Sequence, residues 1–451
     1  MTGPRYDGRH VLVVGAGVAG RAAATIYAER GAAVRVTDAR GEDAVGDVST
    51  LAAAAIEVRT GGHAEDDLDG IDLVFTSPGV PPDAAPLVWA AARDLEVHGE
   101  LELGAQLAEV PYLAVTGTNG KTTTTGMLAA CLRAGGLDAV ACGNIGRPFT
   151  TAATEAHDAL VVECSSFQLE RQRSFHPRVS VLVNLAPDHL DRHVTFEAYG
   201  AAKARVFAHQ TGDDVHVGNR DDAAAAAISS TATCSTAWFR AGAPEPGEVG
   251  YAGDRLVARH VDATVDLGTV DGSRAGFRED AAAAAASALA FGVDAEAIAM
   301  GLAGYEPARH RGEVVAVIDG VRFVDNSKAT NVHAALAALA AVHDAVLIAG
   351  GRAKGVDLSP LLDARDRIAG VVAIGEAAPD LVDLFAGVVP VRRSGSIEEA
   401  VIEAHALVPA GGAVLLAPAC ASWDMFRDYA ERGDRFAVAA RSLAHEVGAR
   451  G

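Results

Sequence analysis

Short apolar runs, each closed by glycine or a charged residue, alternate with polar stretches of helical composition along most of this chain. Residues 10–14 (HVLVV) form one such run, of the kind that a parallel sheet buries on both faces. Residues 21–30 have helical composition and stop at Gly31. Residues 34–37 read as the next strand, with Asp38 at its tip, and 73–76 as a later strand ended by SPGVPP. This is a small α/β unit of about a hundred residues, an ordinary domain size. The rhythm restarts at 112–115, which run into GTNGKTT and a helix through Met127 to Arg133, with further strands at 159–162 and 179–183. Residues 213–276 alternate short β-like runs with glycine and charge. EDAAAAAASALAF reads as helix, its alanine run reflecting genome bias more than function. A third unit begins near His310, where 314–318 and 321–324 flank Asp319-Gly320, a strong hairpin signal. Strands at 345–348, 371–374 and 413–416 alternate with helical stretches, which argues a parallel sheet. The pattern predicts an α/β protein of three domains, 1–108, 109–308 and 309–451, with no solenoid repeat.

Composition narrows the function classes. A chain of 451 residues is too long for one ordinary core. Its 38 basic and 59 acidic residues give a net charge of −21, which argues against a nucleic-acid partner but not against small anions held in a local positive pocket. The five cysteines form no CxxC pair and no zinc spacing, as expected in a reducing compartment. MTGPRYDGRH does not read as a signal peptide, and no apolar run is long enough to span a membrane. A cytoplasmic monomer with neither a membrane nor a nucleic-acid partner is expected.

Two glycine loops carry the candidate chemistry. In Gly117-Thr118-Asn119-Gly120-Lys121-Thr122-Thr123 the glycines let backbone N–H groups turn toward phosphate oxygens. Lys121 supplies a cation for β/γ-phosphates, the Thr122 hydroxyl is placed to ligate Mg2+, and the following helix adds its dipole. The loop is shorter than GxxxxGK[ST], but it sits between a strand and a helix, as the motif requires. The bland alternative is a structural glycine turn with an idle lysine. Gly15-Ala16-Gly17-Val18-Ala19-Gly20 matches GxGxxG after a strand, with Asp38 about twenty residues on. It fits a dinucleotide, or any diphosphate, including that of a nucleotide-sugar.

Glu163 ends a buried strand, and NLAPDHLDRH gathers Asp188, His189, Asp191, Arg192 and His193 after another. Both lie where open α/β sheets bind ligands, so a magnesium near the phosphates is one reading and a solvated helix-capping loop the other. Lys203, in YGAAKARVF, reads first as an ordinary surface lysine on a helix. Lys328 and Lys354 follow strands in DNSKATN and GGRAKGVD, well placed for anion contacts. Ser422 is either a ligand residue or a helix cap, with Trp423 and Phe426 in the core.

Taken together, GTNGKTT, ECSSFQLE, DHLDRH, AAKARVF, HRGEVV, DNSKATN, GGRAKGVD and PACASWDMF resemble the Mur ligases of peptidoglycan assembly over nearly the whole chain. SKATN and PACASWDMF are most similar to the D-glutamate-adding branch. The resemblance implies a Rossmann-like N-terminal domain for the UDP substrate, a central P-loop NTPase-like domain for ATP, and a Rossmann-like C-terminal domain for D-glutamate. The reaction implied makes an acyl phosphate from the carboxylate of UDP-N-acetylmuramoyl-L-alanine and ATP, then an amide with D-glutamate. Lys121, Glu163, His189 and Lys203 would be catalytic. Thr122, Glu163, His189 and a carbamylated Lys203 would hold two Mg2+ ions. Asp280, Arg311, Asn326 and Lys328 would join the 117–123 loop at ATP. Gly15, Gly17, Thr37, Asp38, Ser77, Gly79, Asn144, Ser165 and Gln168 would contact the UDP substrate. Thr330, Lys354, Ser422, Trp423 and Tyr429 would contact D-glutamate.

The chain departs from the family in three places. Glu279-Asp280 stands where His-Asn is usual, Asn326 with Asp325 before it stands where Asp is usual, and Ala417 replaces a frequent serine. None of these removes a phosphate or metal group. Three rivals remain at this level: an NAD-dependent oxidoreductase using the first glycine loop, an inactive nucleotide-sugar-binding regulator, and a sibling Mur or folylpolyglutamate-type ligase adding another amino acid.

Overall fold

A computed structural model describes residues 3–270, 276–353 and 355–448. They group into two compact units. The first runs through Leu185 and takes up Gly200–Val270 and Glu279–Tyr305; the second holds Ala186–Tyr199 and the chain from Glu306.

The first unit contains two sheets. Strands β1 (His10–Val14), β2 (Ala33–Asp38), β3 (Glu57–Thr60), β4 (Leu73–Thr76) and β5 (Glu96–His98) lie in the order β3-β2-β1-β4-β5. All four pairings are parallel. The order reverses between β1 and β4, which opens a crevice at their C-terminal ends. The second sheet has nine strands: β6 (Tyr112–Thr116), β7 (Ala139–Gly143), β8 (Ala159–Glu163), β9 (Val179–Leu182), β10 (Val215–Asn219), β11 (Ser235–Phe239), β12 (Glu248–Ala252), β13 (Arg255–Arg259) and β14 (Thr264–Thr269). Their order is β14-β13-β12-β11-β10-β9-β6-β8-β7. Only the outer β12-β13-β14 ribbon is antiparallel. The central strands are buried throughout, which is why they read as unbroken apolar runs.

These two sheets share one core. Leu101, Leu103 and Leu107 of the helix Glu100–Leu107 are buried in the same cluster as Tyr27 and Phe75 on one side and Phe149 and Phe175 on the other. A Cβ at Gly104 would stand 2.2 Å from the Phe149 ring, so only glycine admits this approach. The alanine run has a packing consequence that composition hides: Ala281 to Ala286 are all buried in the helix Phe277–Phe291.

The second unit carries β15 (Glu313–Ile318), β16 (Val321–Asp325), β17 (Ala345–Gly350), β18 (Ile368–Ile374), β19 (Val391–Arg393) and β20 (Ala413–Leu416), in the order β15-β16-β20-β17-β18-β19. β15 and β16 form the expected hairpin, antiparallel across Asp319 at φ 49° and Gly320 at φ 80°. Two successive positive φ angles are what a two-residue type I′ turn demands. Along β17, Leu347 and Ala349 enter one apolar cluster and Val346 and Ile348 another, so the sheet is covered on both faces.

Candidate active site

The 117–123 loop joins β6 to the helix Lys121–Ala134. Gly117 (φ 157°) and Gly120 (φ 79°) make the two turns that need glycine. The helix's own ladder starts with Thr124 N–H to Gly120 O, so the N–H groups of the first turn point out of the helix end, where the dipole favours an anion. The N–H groups of Thr118 and Asn119 are used differently from the sequence expectation. Asn184, just past β9, accepts the first on its carbonyl at 3.0 Å and the second on Oδ1 at 2.9 Å. The Lys121 ammonium folds over the loop and donates to Gly117 O and Thr118 O at 2.9 and 2.8 Å.

Lys203 is not a surface residue. It is 1 % exposed, and its ammonium donates to Gly117 O at 2.6 Å. Glu163 lies on β8, paired in register with Val115, and is 2 % exposed. Its Oε1 accepts the Asn144 Nδ2–H at 2.9 Å, while Oε2 is buried with no hydrogen-bond partner. A buried carboxylate oxygen left in this state is costly unless a cation meets it. Oxygen donors such as Glu163 Oε2 and the Thr122 hydroxyl suit magnesium. Among the described residues no set of three His, Cys, Asp or Glu side chains forms a complete metal site, so an ion here would fill its shell with nucleotide and water oxygens.

Beyond β8, Ser165 caps the helix Ser166–Leu169 and exchanges bonds with Gln168: Gln168 N–H to Ser165 Oγ at 3.2 Å, and Ser165 N–H and Oγ–H to Gln168 Oε1 at 2.8 and 2.9 Å. Gln168 Nε2 donates to Glu100 at 2.8 Å. Burial raises the Glu100 carboxyl above its usual range, against the pull of the Phe149 N–H and Gln168. Asp280 is buried, accepts the Thr124 hydroxyl at 3.3 Å, and lies where a Cβ on Gly120 would fall 1.9 Å from its Oδ1.

At the first glycine loop, Gly15 takes φ 96° and a Cβ on Gly20 would fall 1.8 Å from Gly15 O. Around Gly17 there is open space. Ser77, after β4, donates to Gly15 O at 3.0 Å, so both sit at the crevice between β1 and β4, and Gly79 is exposed in the turn beyond. Asp38 is already engaged: Oδ2 accepts the Ala16 N–H at 2.7 Å, and Arg40 pairs with the carboxylate at 2.8 Å, which with that N–H holds its pKa well below the usual range. Thr37 is buried, donating to Asp67 and bonded to His63.

In the second unit His189 has φ 55°, and its Nε2 lies 3.7 Å from Asp188. Asn331 Nδ2 donates to that same Asp188 at 3.1 Å. Asn326 and Thr330 are half-buried, and the Lys328 ammonium stands 3.9 Å over the Tyr429 ring. Ser422 is buried in a turn, its carbonyl accepting the N–H groups of Met425 and Phe426, so it caps no long helix. Trp423 is 62 % exposed, not a core residue, whereas Phe426 is buried. Arg311 is half-buried and Lys354 lies outside the described residues.

Two buried groups here were not singled out in the sequence. His310, in a left-handed conformation at φ 64°, bonds Asp325 Oδ2 through Nδ1 at 2.7 Å, which raises its pKa. Arg432 is wholly buried and donates to Ser327 Oγ, Ser327 O and Cys420 O, tying the DNSKATN and PACAS loops together. Burial pushes its pKa down to about 10. The only sequence signal was that HRGEVV and RDYAERG each put a charged group beside a glycine. Asn184 also escaped notice, although a polar residue ending a buried strand next to the loop strand was a usable sign.

Residues 115–267 match the Mur ligase middle domain, and residues 9–99 the Mur ligase MurD-like N-terminal domain. A protein of Frankia casuarinae named UDP-N-acetylmuramoylalanine--D-glutamate ligase is 43% identical over 457 residues, covering 97% of this chain and 95% of the relative. A protein of the same name from Syntrophotalea carbinolica is 37% identical over 443 residues, covering 97% and 98%. The fold is similar to that of MurF ligase from Thermotoga maritima, solved in complex with ADP, with a TM-score of 0.60 at 17% identity over 93% of this chain and 96% of that one. With two loops at sheet switch points, buried lysine and glutamate beside the second, and relatives matched end to end, the chain belongs to the Mur ligase family, in its UDP-N-acetylmuramoylalanine--D-glutamate ligase group.

Proposed function

We propose that this chain is an ATP-dependent amide-bond ligase that joins D-glutamate to UDP-N-acetylmuramoyl-L-alanine, releasing ADP and phosphate, and that it works as a cytoplasmic monomer. No helix among the described residues is long and apolar enough to cross a membrane. The main support is the convergence of two ammonium groups, Lys121 and Lys203, on the carbonyl of Gly117, in the loop after the strand that pairs with the one ending in the half-satisfied Glu163. Such a site draws negative charge in and is built for bringing two anions together. Residues 1–108 would bind the UDP moiety at Gly15, Gly17 and Ser77. Residues 109–308 would bind ATP at 117–123, and residues 309–451 would bind D-glutamate near Thr330, Lys354, Ser422, Trp423 and Tyr429.

A carboxylate oxygen of the substrate attacks the γ-phosphorus, the bond to the β-phosphate oxygen breaks, and ADP leaves. The D-glutamate amine then attacks the acyl carbon; the amide forms, a proton is lost from nitrogen and phosphate departs. Lys121 leaves its loop carbonyls to follow the charge that develops on the transferring phosphoryl group. Bound magnesium would screen the phosphates from the attacking carboxylate, with Thr122, Glu163 and His189 as its protein ligands. Lys203, as a carbamate, would supply oxygens to a second ion. Asn144, Ser165 and Gln168 orient the muramoyl-alanine portion. Mixing UDP-N-acetylmuramoyl-L-alanine, ATP, magnesium and D-glutamate is expected to release phosphate only when all four are present. Equal release with L-glutamate or other amino acids would favour a sibling activity, and none at all would overturn the reading.

A further inference from the structure

A chain of hydrogen bonds leads from the alanine-rich helix to the phosphate loop. It starts at Glu279, whose Oε1 accepts the Nδ2–H of Asn219 at 2.6 Å. Asn219, at the end of β10, is 1 % exposed and fully committed. Its other amide N–H donates to Val183 O at 2.8 Å, and its Oδ1 accepts the Asp221 N–H at 2.9 Å. Asn184 holds the loop, taking the N–H of Thr118 on its carbonyl and that of Asn119 on Oδ1. An amide can offer a carboxylate only its nitrogen, so the bond to Glu279 decides which way the Asn219 side chain faces. Reversed, Asn219 would set its oxygen against the Val183 carbonyl and its NH2 against the Asp221 N–H, and the strand end beside Asn184 would lose that support.

We infer that Glu279 is a positioning residue for the phosphate loop: through Asn219 it fixes the strand end at Val183, next to Asn184, so that the backbone at Thr118 and Asn119 is held where a nucleotide's phosphates seat. This rests on the reading of 117–123 as the ATP loop. Glu279 itself touches no reacting atom.

The charges around it give the role a signature. Burial pushes the Glu279 carboxyl up to about 7; the neighbouring Asn184 and Asn219 amides pull it down, while Asp222 and Asp221 add to the rise. Those two aspartates face it from the loop after β10, each holding a backbone N–H, Ala241 for Asp221 and Leu185 and Ala225 for Asp222. Asp280 follows it on the helix. Ionisation near neutral pH therefore adds a negative charge beside a polyphosphate site.

Steady-state kinetics on the full chain test this with wild type, Glu279→Ala and Glu279→Gln. Loss of the orienting bonds in the alanine variant is expected to raise KM for ATP about tenfold, with KM for UDP-N-acetylmuramoyl-L-alanine within about twofold of wild type. The glutamine variant, which still accepts the Asn219 amide, is expected to recover most of that loss at pH 6. It should also abolish the rise in wild-type KM for ATP between pH 6 and 8. An alanine variant with an unchanged KM for ATP overturns the inference, and so does a glutamine variant that keeps the wild-type pH slope. The glutamine result decides if the alanine variant does not fold. A wild type without D-glutamate-dependent phosphate release would instead strike the ligase reading, and displacement of a fluorescent ATP analogue then reads the same variants.

Discussion

Lys203 and Gly117, 86 residues apart, are joined by a 2.6 Å hydrogen bond from a buried ammonium to a loop carbonyl. The same oxygen accepts Lys121. Two cations held on one carbonyl is a loaded arrangement, because each has more to gain from an incoming anion than from a shared neutral dipole.

Lys121→Ala removes the one of the pair that stands on the loop itself. Losing a charge aimed at the transferring phosphoryl group is expected to lower kcat by about 10²–10³. The helix and both glycine turns stay as they are, so the thermal midpoint is expected to hold. Phosphate-release assays and a melting curve check both; near-normal turnover would refute the assignment.

Lys203→Ala is expected to lose activity and to regain part of it with formate, acetate or propionate, which offer a carboxylate where the carbamate would stand. Simple amines are expected not to rescue. A lysine acting only as a cation would give the opposite pattern, so the rescue profile separates the two chemistries.

Glu163→Gln removes a buried charge with one orphaned oxygen. Without magnesium the variant is expected to be as stable as wild type or more so, since the desolvation cost of an ionised carboxylate goes with it. The magnesium concentration for half-maximal activity is expected to rise about tenfold, as one charged ligand becomes neutral. Titration of activity with magnesium, beside melts in EDTA, tests both statements.

Asp280→Asn takes a carboxylate away from Gly120 and keeps an acceptor for Thr124. With one negative charge fewer beside the polyphosphate, KM for ATP is expected to fall a few-fold, by about 1 kcal/mol at most because solvent and magnesium screen the site. A higher KM in this variant would mean that the carboxylate contributes a contact rather than repulsion.

The His310–Asp325 bond ties folding to pH. Because the pKa of His310 is raised in the fold, chiefly by its bond to Asp325, protonation favours the folded state. That contribution is fully present below the ordinary histidine value and is lost as pH rises through the folded value. Asp325→Asn is expected to destabilise by about 3 kcal/mol at pH 6 and by less at pH 9. Denaturant unfolding at both values checks the sign; an equal loss at both would remove the ionic component.

Much of this was legible in advance. The strands at 10–14, 112–115, 159–162 and 345–348 are buried on both faces, so their apolar runs had no second interpretation, and Asp319-Gly320 could only be a tight turn. Sites at strand ends were legible for the same reason, because Glu163 interrupts a run that should have stayed apolar. Side-chain partners were not. Nothing in the local pattern says that Asp38 is spent on Ala16 and Arg40, that Lys203 reaches Gly117, or that Gln168 is bound inward to Glu100 and Ser165, since each bond crosses between elements distant in sequence. Nor did the pattern show that Leu101, Leu103 and Leu107 of the helix Glu100–Leu107 enter one core with residues of both sheets of the first unit.

The helix Tyr429–Gly448 has at Gly433 a position where a Cβ would fall 2.2 Å from the His310 ring. A residue with no chemistry of its own thus guards the point where the chain enters its last unit. Even alanine there would press on a histidine whose backbone already sits in the left-handed region, and the ring would have to surrender either its place or its aspartate. In a survey of tolerated substitutions, position 433 should look as intolerant as the phosphate loop, although it is silent in every step of the reaction.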